Sequence, residues 1–569
     1  MVNTAYGEKV ADDSKEATPT DLGHDVEEGT HEPAKLSRGL QGRHMQMIAI
    51  GGSIGAGLFV GSGSSLQSGG PASLLLGFII IGVMLLCTVQ ALGELAVLYP
   101  VNGAFYVYGV RFIDPAWGFA MGWQYAIGWL ITLPFEITAA GNDPFSWNRA
   151  HRSYRKLTER EGLTIDYWHH YNIGIWIAVF LTTLIIVQFF GVKGYGEVEF
   201  VLGIIKIIAV LGFIIFGIVV DCGGVPGDDR GYIGFRYWND TEHGNRAFRN
   251  GFKGFCSVFV NAAFAFGGTE LVGLAAAEAA NPRKSLPKAT KQVFWRITGF
   301  YVVSLLIMGL IVPNSSPDLL NSSGANTKAS PFVLAIEYAG VRGLPSVFNA
   351  VITISVMSVA NSCTYGSTRT MQALAQGGMG PKFLSWIDKK GRPVWPVVIQ
   401  MAFGLLAFIN EAETGATVFN WLLALTGLSS FFVWGSICLS HIRFRAGWKA
   451  AGRSLDDLPF RSQVGVYGSY LGLFLVVISL AATFYVDLFP IGGNPTGGAE
   501  SFFEGYIAAP IAITLFVFWK LWTRDTGFLV KVHEMDLDTG RREFQDIPGD
   551  DEPEPRHMSV GRRVSRALF

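Results

Sequence analysis

Residues 48–63 read IAIGGSIGAGLFVGSG, and the reading of this stretch decides the fold. It begins as an apolar helix of the kind that enters a bilayer, then crowds Gly51, Gly52, Gly55, Gly57, Gly61 and Gly63 into its next few turns. Each glycine weakens a helix by roughly 1 kcal/mol relative to alanine, so unwinding here costs little. Backbone released from a helix inside hydrocarbon must be buried in protein or line a wet cavity, so a break near mid-membrane points to a binding site. The same glycines would also suit close packing of a neighbouring helix, and the stretch alone leaves both uses open.

Composition narrows the class. Of 569 residues, 50% are hydrophobic and only 16% charged, and the charges collect between long apolar runs, which is the profile of an all-α polytopic membrane protein and not of a soluble enzyme. A net charge of -1 offers no basic face, so no nucleic-acid partner is expected. Of the five cysteines, Cys87, Cys256, Cys363 and Cys438 fall in or beside apolar runs and Cys222 in a loop; neither a disulfide framework nor metal-ligand spacing results, and no cofactor or metal is expected. The first 43 residues are polar and acidic, without a signal-peptide core, so they read as a disordered tail followed by an uncleaved first span.

Taken in order, the apolar runs are 48–63, 72–98, 117–140, 173–192, 198–220, 255–277, 294–312, 347–360, 395–409, 419–439, 467–488 and 505–519, which predicts twelve transmembrane helices. Lysine and arginine placement puts both termini in the cytosol, because Arg283, Lys284, Lys288 and Lys291, then Arg369, Lys382, Lys389, Lys390 and Arg392, then Arg443, Arg445, Lys449, Arg453 and Arg461 all fall on that side. The sequons at Asn239, Asn314 and Asn321 then lie outside, as short matches of little weight. Segment 141–161 breaks the charge rule: it carries Arg149, Arg152, Arg155, Lys156 and Arg160 where an outer loop belongs. It reads either as an atypical external insert, such as translated intron or a recent insertion, or as an ordinary long loop.

The sixth run supplies a second break, FAFGGTELVG at 264–273, followed by Glu278, Asn281 and Pro282. Matching glycine-interrupted spans five apart point to an inverted-repeat transporter with its site at the bilayer midplane. Here the chain resembles the fungal amino-acid permeases of the amino acid-polyamine-organocation superfamily. The resemblance runs from Leu36 to about Arg542, apart from the insert, and rests on GGSIGAGLFVGSG, on Gly93-Glu94 through Pro100 to Phe105, on FGGTELVGLAAAEAANPRKSLPKA, on Asn361 to Tyr365 with Ser367 to Arg369, on FNWLL at 419–423 and on SHIRFR at 440–445. Within the family it looks most like the general amino-acid permeases, also through DLDTGRR at 536–542. It implies a five-plus-five inverted repeat (LeuT-type) with helices 1 and 6 broken, a transporter domain over 44–522, and a cytosolic C-tail over 523–569. The implied activity is proton-coupled import of L-amino acids across the plasma membrane by alternating access, with broad specificity.

Helix-end chemistry suggests how a zwitterion is held. Unpaired N–H groups at Gly55, Ala56 and Gly57, with the Ser53 hydroxyl, suit the carboxylate. Carbonyls from Phe264, Ala265, Phe266 and Gly267, with Ser53 or Ile54, suit the ammonium, and Thr269 adjoins them. By resemblance Phe264 matches an aromatic gate; Phe266 could share the wall, while for Trp421, Thr426 and Ser429 packing is the favoured reading. Lys206 lies in an apolar run, where centring a lysine costs about 2.5 to 3.5 kcal/mol on insertion scales. By resemblance to proton-coupled bacterial relatives it stands where sodium-coupled ones hold the ion, so it is a proton-coupling candidate; pinning unwound carbonyls of span one, or snorkelling from nearer a helix end, are the alternatives. Glu270 and Glu136 are acidic candidates for the same coupling; Glu270 reads equally as a contact for the substrate ammonium or a hydrogen-bonded strut, Glu136, near the outer end of its span, as facing the cavity or exposed at the interface, and Glu94 and Glu278 as inner-gate anchors. Lys9 and Lys15 are accessible to ubiquitin-ligase machinery, by which similar permeases leave the surface. A transporter-like receptor signalling through its tails, or a permease of narrower specificity, are the competing readings. The partners expected are thus amino acids, protons and the lipid bilayer.

Overall fold

The computed structural model describes residues 39–158, 173–320, 330–411, 415–492 and 499–541. These form α1 (Gly42–Ser53), α2 (Ala56–Phe59), α3 (Gly61–Leu98), α4 (Ala104–Phe112), α5 (Pro115–Thr158), α6 (Ile173–Gln188), α7 (Gly191–Asp221), α8 (Gly251–Phe266) and α9 (Leu271–Leu274). The second half holds α10 (Pro282–Ile311), α11 (Pro317–Leu320), α12 (Pro331–Tyr338), α13 (Leu344–Gln376), α14 (Val394–Gly404), α15 (Gly415–Ala450), α16 (Gly465–Leu488), α17 (Ala499–Tyr506) and α18 (Ala508–Thr523). No β-strand occurs among the described residues; a single bridge joins Leu40 to Ala279.

The burial pattern of α7 identifies the solvent. Glu199 and Lys206 are 0% exposed while Ile208 and Ile215 on the opposite face are 64% and 65% exposed, the reverse of a helix on a water-soluble protein. Only surroundings of hydrocarbon make that arrangement favourable. Among the described residues seven helical stretches are long and apolar enough to cross a membrane, including α3, α7, α10, α13 and α16. The chain is therefore a helical, multi-pass membrane protein.

Both glycine-rich segments are broken. After α1, Ile54 is extended (φ -78°, ψ 97°), and α2 restarts behind Gly55. After α8, Gly267 (φ -54°, ψ 146°) and Gly268 (φ 93°) interrupt the helix before α9. The two breaks lie backbone against backbone. A Cβ on Gly268 would stand 2.6 Å from Gly52 O, and one on Gly57 would stand 2.5 Å from Ala265 Cα. Unwinding and close approach are thus both present. Tyr301 of α10 ties them together, since its hydroxyl lies 2.8 Å from both Ser53 O and Ala265 O, carbonyls that the two breaks leave unpaired.

Several boundaries depart from the sequence reading. The 347–360 run belongs to a helix that continues to Gln376, because the hydroxyls of its polar second half fold back on their own helix, as from Thr368 to Thr364 O (2.6 Å) and from Thr370 to Gly366 O (2.7 Å). The second span begins inside α3 at a kink, Gly70 (φ 79°) before Pro71. α5 runs on to Thr158, so the first part of segment 141–161 is helical where a loop is expected. Asn314 is fully buried and donates to Arg246 O, so its sequon offers no accessible acceptor, whereas Asn239 is exposed. Asn321, Lys9 and Lys15, and the tail beyond 541, lie outside the described residues.

Residues 530–541 cross one end of the bundle as a strap. Tyr99 donates to Leu537 O (2.8 Å), Arg111 to Thr539 O (2.6 Å), and Arg453 pairs with Asp538 (2.7 Å), while Met535 and Leu537 are buried. The Arg453 guanidinium holds the Asp538 carboxyl below its ordinary range.

Replacing Tyr301 by phenylalanine removes the one hydroxyl that serves both breaks and is expected to lower stability by about 1 to 3 kcal/mol, the cost of leaving a buried polar group unsatisfied. Thermal unfolding of the detergent-purified variant measures this; an unchanged midpoint would refute the tie.

Candidate functional site

The two breaks open onto a cavity enclosing about 500 Å³ of empty space, its mouth included. Gly52, Ser53 and Gly57 line it from the first break, and Phe264, Gly267 and Glu270 from the second. α5 supplies Tyr125, Gly128, Trp129, Thr132 and Glu136, α13 supplies Val359, and α15 supplies Thr426, Ser429 and Ser430.

Each polar group on this wall has a structural origin. Glu270 follows directly on the second break, where its Oε1 accepts from Gly268 N–H (3.2 Å) and Tyr125 OH (3.2 Å) and its Oε2 from Trp434 Nε1 (3.3 Å). Glu136 is 1% exposed and lines the cavity, so of facing the cavity and lying exposed at the interface the structure gives the first. Its Oε1 stands 3.6 Å from where a Cβ on Gly55 would be, beside the Ala56 amide, and its Oε2 has no hydrogen-bond partner. Thr132 reaches Thr426 (3.2 Å), and Gln124 donates to Ser429 (3.2 Å), so α5 and α15 are joined across the cavity wall.

Phe264 lines the cavity and packs edge-on against Phe135 at 5.0 Å between ring centres. Phe266 does not line it; it is fully buried behind, against Tyr301 (4.7 Å) and Phe78 (5.8 Å). Ile54, Gly55, Ala56, Ala265 and Thr269 form the breaks themselves without reaching the cavity surface. Three of the carbonyls proposed for an ammonium already have donors: Gly267 N–H on Phe264 O (3.1 Å), Tyr301 on Ala265 O (2.8 Å) and Thr269 on Phe266 O (3.0 Å). The charged acceptors on this wall are the carboxylates of Glu270 and Glu136.

Lys206 lies behind the first break, where Nζ donates to Gly51 O at 2.7 Å. It pins the end of α1 to α7. Toward the end of the bundle that carries the strap, Arg369 pairs with Glu278 (3.2 Å), which also accepts from Tyr365 (3.0 Å), and Glu94 is held by Arg445 (2.6 Å), His441 (3.0 Å) and Ser462 N–H (2.7 Å).

Of the α5 wall the sequence reading named only Glu136, and it favoured packing for Thr426 and Ser429, which line the cavity. A signal existed on α5: Gly128, Thr132 and Glu136 recur every four residues in an apolar run, one polar stripe on one helical face. Trp421 is half-buried and does not line the cavity.

The chain matches the family model described as "Amino acid permease" over residues 44–528. It is 50% identical to General amino-acid permease GAP2 of Candida albicans over 90% of this chain and 82% of that protein. It is 49% identical to General amino-acid permease GAP1 of Saccharomyces cerevisiae over 89% and 81% of the two chains. It is 48% identical to Cationic amino acid transporter 1 of Schizosaccharomyces pombe over 94% and 86%. A membrane-embedded cavity between two broken helices, together with these matches across nearly the whole chain, makes it a transporter and not an enzyme: it belongs to the amino acid permease family.

Proposed function

We propose that the protein imports L-amino acids across the plasma membrane together with protons, by alternating access in a twelve-span, five-plus-five inverted-repeat fold with both termini in the cytosol. The observation that carries this is the pairing of the two helix breaks on one cavity with a buried carboxylate at each, Glu136 by the first and Glu270 by the second. The Gly57 end of the first break, with the Ala56 amide behind it, holds the substrate carboxylate, and Glu270 with the Gly267 end of α8 holds the ammonium.

This pose couples the substrate to a proton. An ionised Glu136 would stand beside the amide that the substrate carboxylate needs, and two carboxylates in one dry place repel. Protonation of Glu136 removes the conflict. Lys206 holds the α1 carbonyl end from behind and supplies the fixed or exchangeable positive charge of the same region. One proton per amino acid suffices: about 2.3 kcal/mol from 100 mV and about 1.4 kcal/mol from one pH unit concentrate a zwitterion roughly 500-fold.

Recognition through backbone leaves the substrate side chain to Trp129, Val359, Thr426 and Ser429, a mixed wall that suits broad specificity, as the names of the general permeases describe for those relatives. Two carboxylates at the cavity favour a second reading, preference for cationic amino acids, which matches the name of the fission-yeast relative. Ubiquitination at Lys9 and Lys15 is the regulation that the tail proposes.

Competition of every standard amino acid against one labelled substrate, at two external pH values, separates these readings. Broad, acid-stimulated inhibition is expected. Inhibition confined to lysine, arginine and histidine would replace it by the cationic reading, and binding without accumulation would favour a receptor. Lys206→Met is expected to reach the surface and lose acid stimulation of uptake; acid-stimulated uptake in that variant removes Lys206 from the coupling. Glu270→Gln is expected to raise the apparent KM at least tenfold, about 1.4 kcal/mol of binding, at an unchanged surface level. A wild-type KM would take Glu270 out of the site.

A further inference from the structure

Glu199 is the buried charge that the proposed cycle leaves without a task. It lies on α7 seven residues before Lys206, about two helical turns, so the two side chains leave the same face, and both are fully buried. Between them stands Gly51 of α1. Lys206 Nζ donates to Gly51 O (2.7 Å), and a Cβ on Gly51 would stand 2.0 Å from Glu199 Oε2, so the carboxylate fills space that only glycine leaves open. From the other side α13 donates twice, Ser358 Oγ to Oε2 (2.6 Å) and Asn361 Nδ2 to Oε1 (2.8 Å).

Charge balance assigns the parts. Glu199 and Glu136 both act electrostatically on the Lys206 ammonium. Two carboxylates and one ammonium leave one negative charge unmatched, and an unmatched charge costs several kcal/mol away from water. The cluster is neutral only when it holds one further proton. The two donors from α13 favour the charged form of Glu199 over that of Glu136, which has a partnerless oxygen and lines the cavity. The remaining groups near Glu199 are the phenol of Tyr195 on α7 and the thiol of Cys363 on α13, side-chain types that ordinarily carry no charge at neutral pH. His44 of α1 packs on Gly196 but pairs with Glu197, and Arg296 of α10 reaches Gln46.

We propose that Glu199 is the fixed counter-ion of Lys206, a positioning residue that keeps the ammonium charged through the cycle and thereby leaves Glu136 as the carrier of the transported proton. This rests on the proton-coupled reading above. In each cycle one proton from external water forms an O–H bond on Glu136, and that bond breaks when the proton passes to cytosolic water; Lys206 and Glu199 neither gain nor lose one.

The test uses the purified full-length chain in liposomes, measuring labelled amino-acid exchange and the proton movement that accompanies net uptake. In Glu199→Gln, Lys206 pairs with Glu136 and the cluster is neutral without a further proton. Exchange should remain measurable while proton movement per amino acid falls at least tenfold and acid stimulation disappears; wild-type proton movement in this variant overturns the proposal. The double variant Glu199→Gln with Lys206→Met leaves Glu136 alone to titrate and should regain proton movement, and exchange without that regain also overturns it. Ser358→Ala keeps every charge and serves if the others fail to fold. With one donor lost, the midpoint of acid stimulation should move to higher pH, and an unmoved midpoint is the contrary result. A wild-type chain that moves no proton at all would instead remove the proton-coupled reading itself.

Discussion

The structure depends on two pieces of interrupted backbone being pressed together in the middle of a membrane protein. Interruption exposes N–H and C=O groups that hydrocarbon cannot satisfy, so each break survives only because protein surrounds it. Gly52 against Gly268 and Gly57 against Ala265 bring the chains to a distance that no side chain would permit. Tyr301 then serves one carbonyl from each side with a single hydroxyl. Broken helices are thus not two independent features; each is part of the packing of the other.

Around that centre, polarity is sorted in the opposite sense to a soluble protein. α7 turns isoleucines outward and Glu199 and Lys206 inward, and α13 satisfies its own hydroxyls on its own carbonyls, as Thr368 does on Thr364. Apart from Glu136, whose Oε2 has no partner, charges that enter the interior are met by named groups: Lys206 by Gly51, Glu199 by Ser358 and Asn361, Glu278 by Arg369 and Tyr365. Such networks fix which helices can touch, because an alternative packing would strand a charge.

Much of this was legible in the sequence because glycine density and apolar run length act locally. The break at 48–63, the second break at Gly267 and Gly268, and the intrusion of Lys206 into an apolar run are visible without any tertiary information. What was not legible depends on which way a side chain faces. Phe264 and Phe266 are two residues apart in one helix and look alike in sequence, yet the first lines the cavity and the second lies behind it. Glu199 sits at the edge of an apolar run, where a carboxylate is ordinarily interfacial; only the glycine at position 51 and the donors on α13 make its burial possible. The extent of α13 was hidden for a related reason, since its polar half scores as loop until its neighbours are known.

The strap at 530–541 links helix ends that are far apart in the chain. Tyr99 and Arg111 belong to the segment around α4, and Arg453 comes just after α15, yet all three grip Leu537, Asp538 or Thr539. Any swing of α15 away from α4 must tear at least one of these grips and uncover Met535 and Leu537. The C-terminal segment is consequently a clamp: while it holds, the ends of α4 and α15 cannot part.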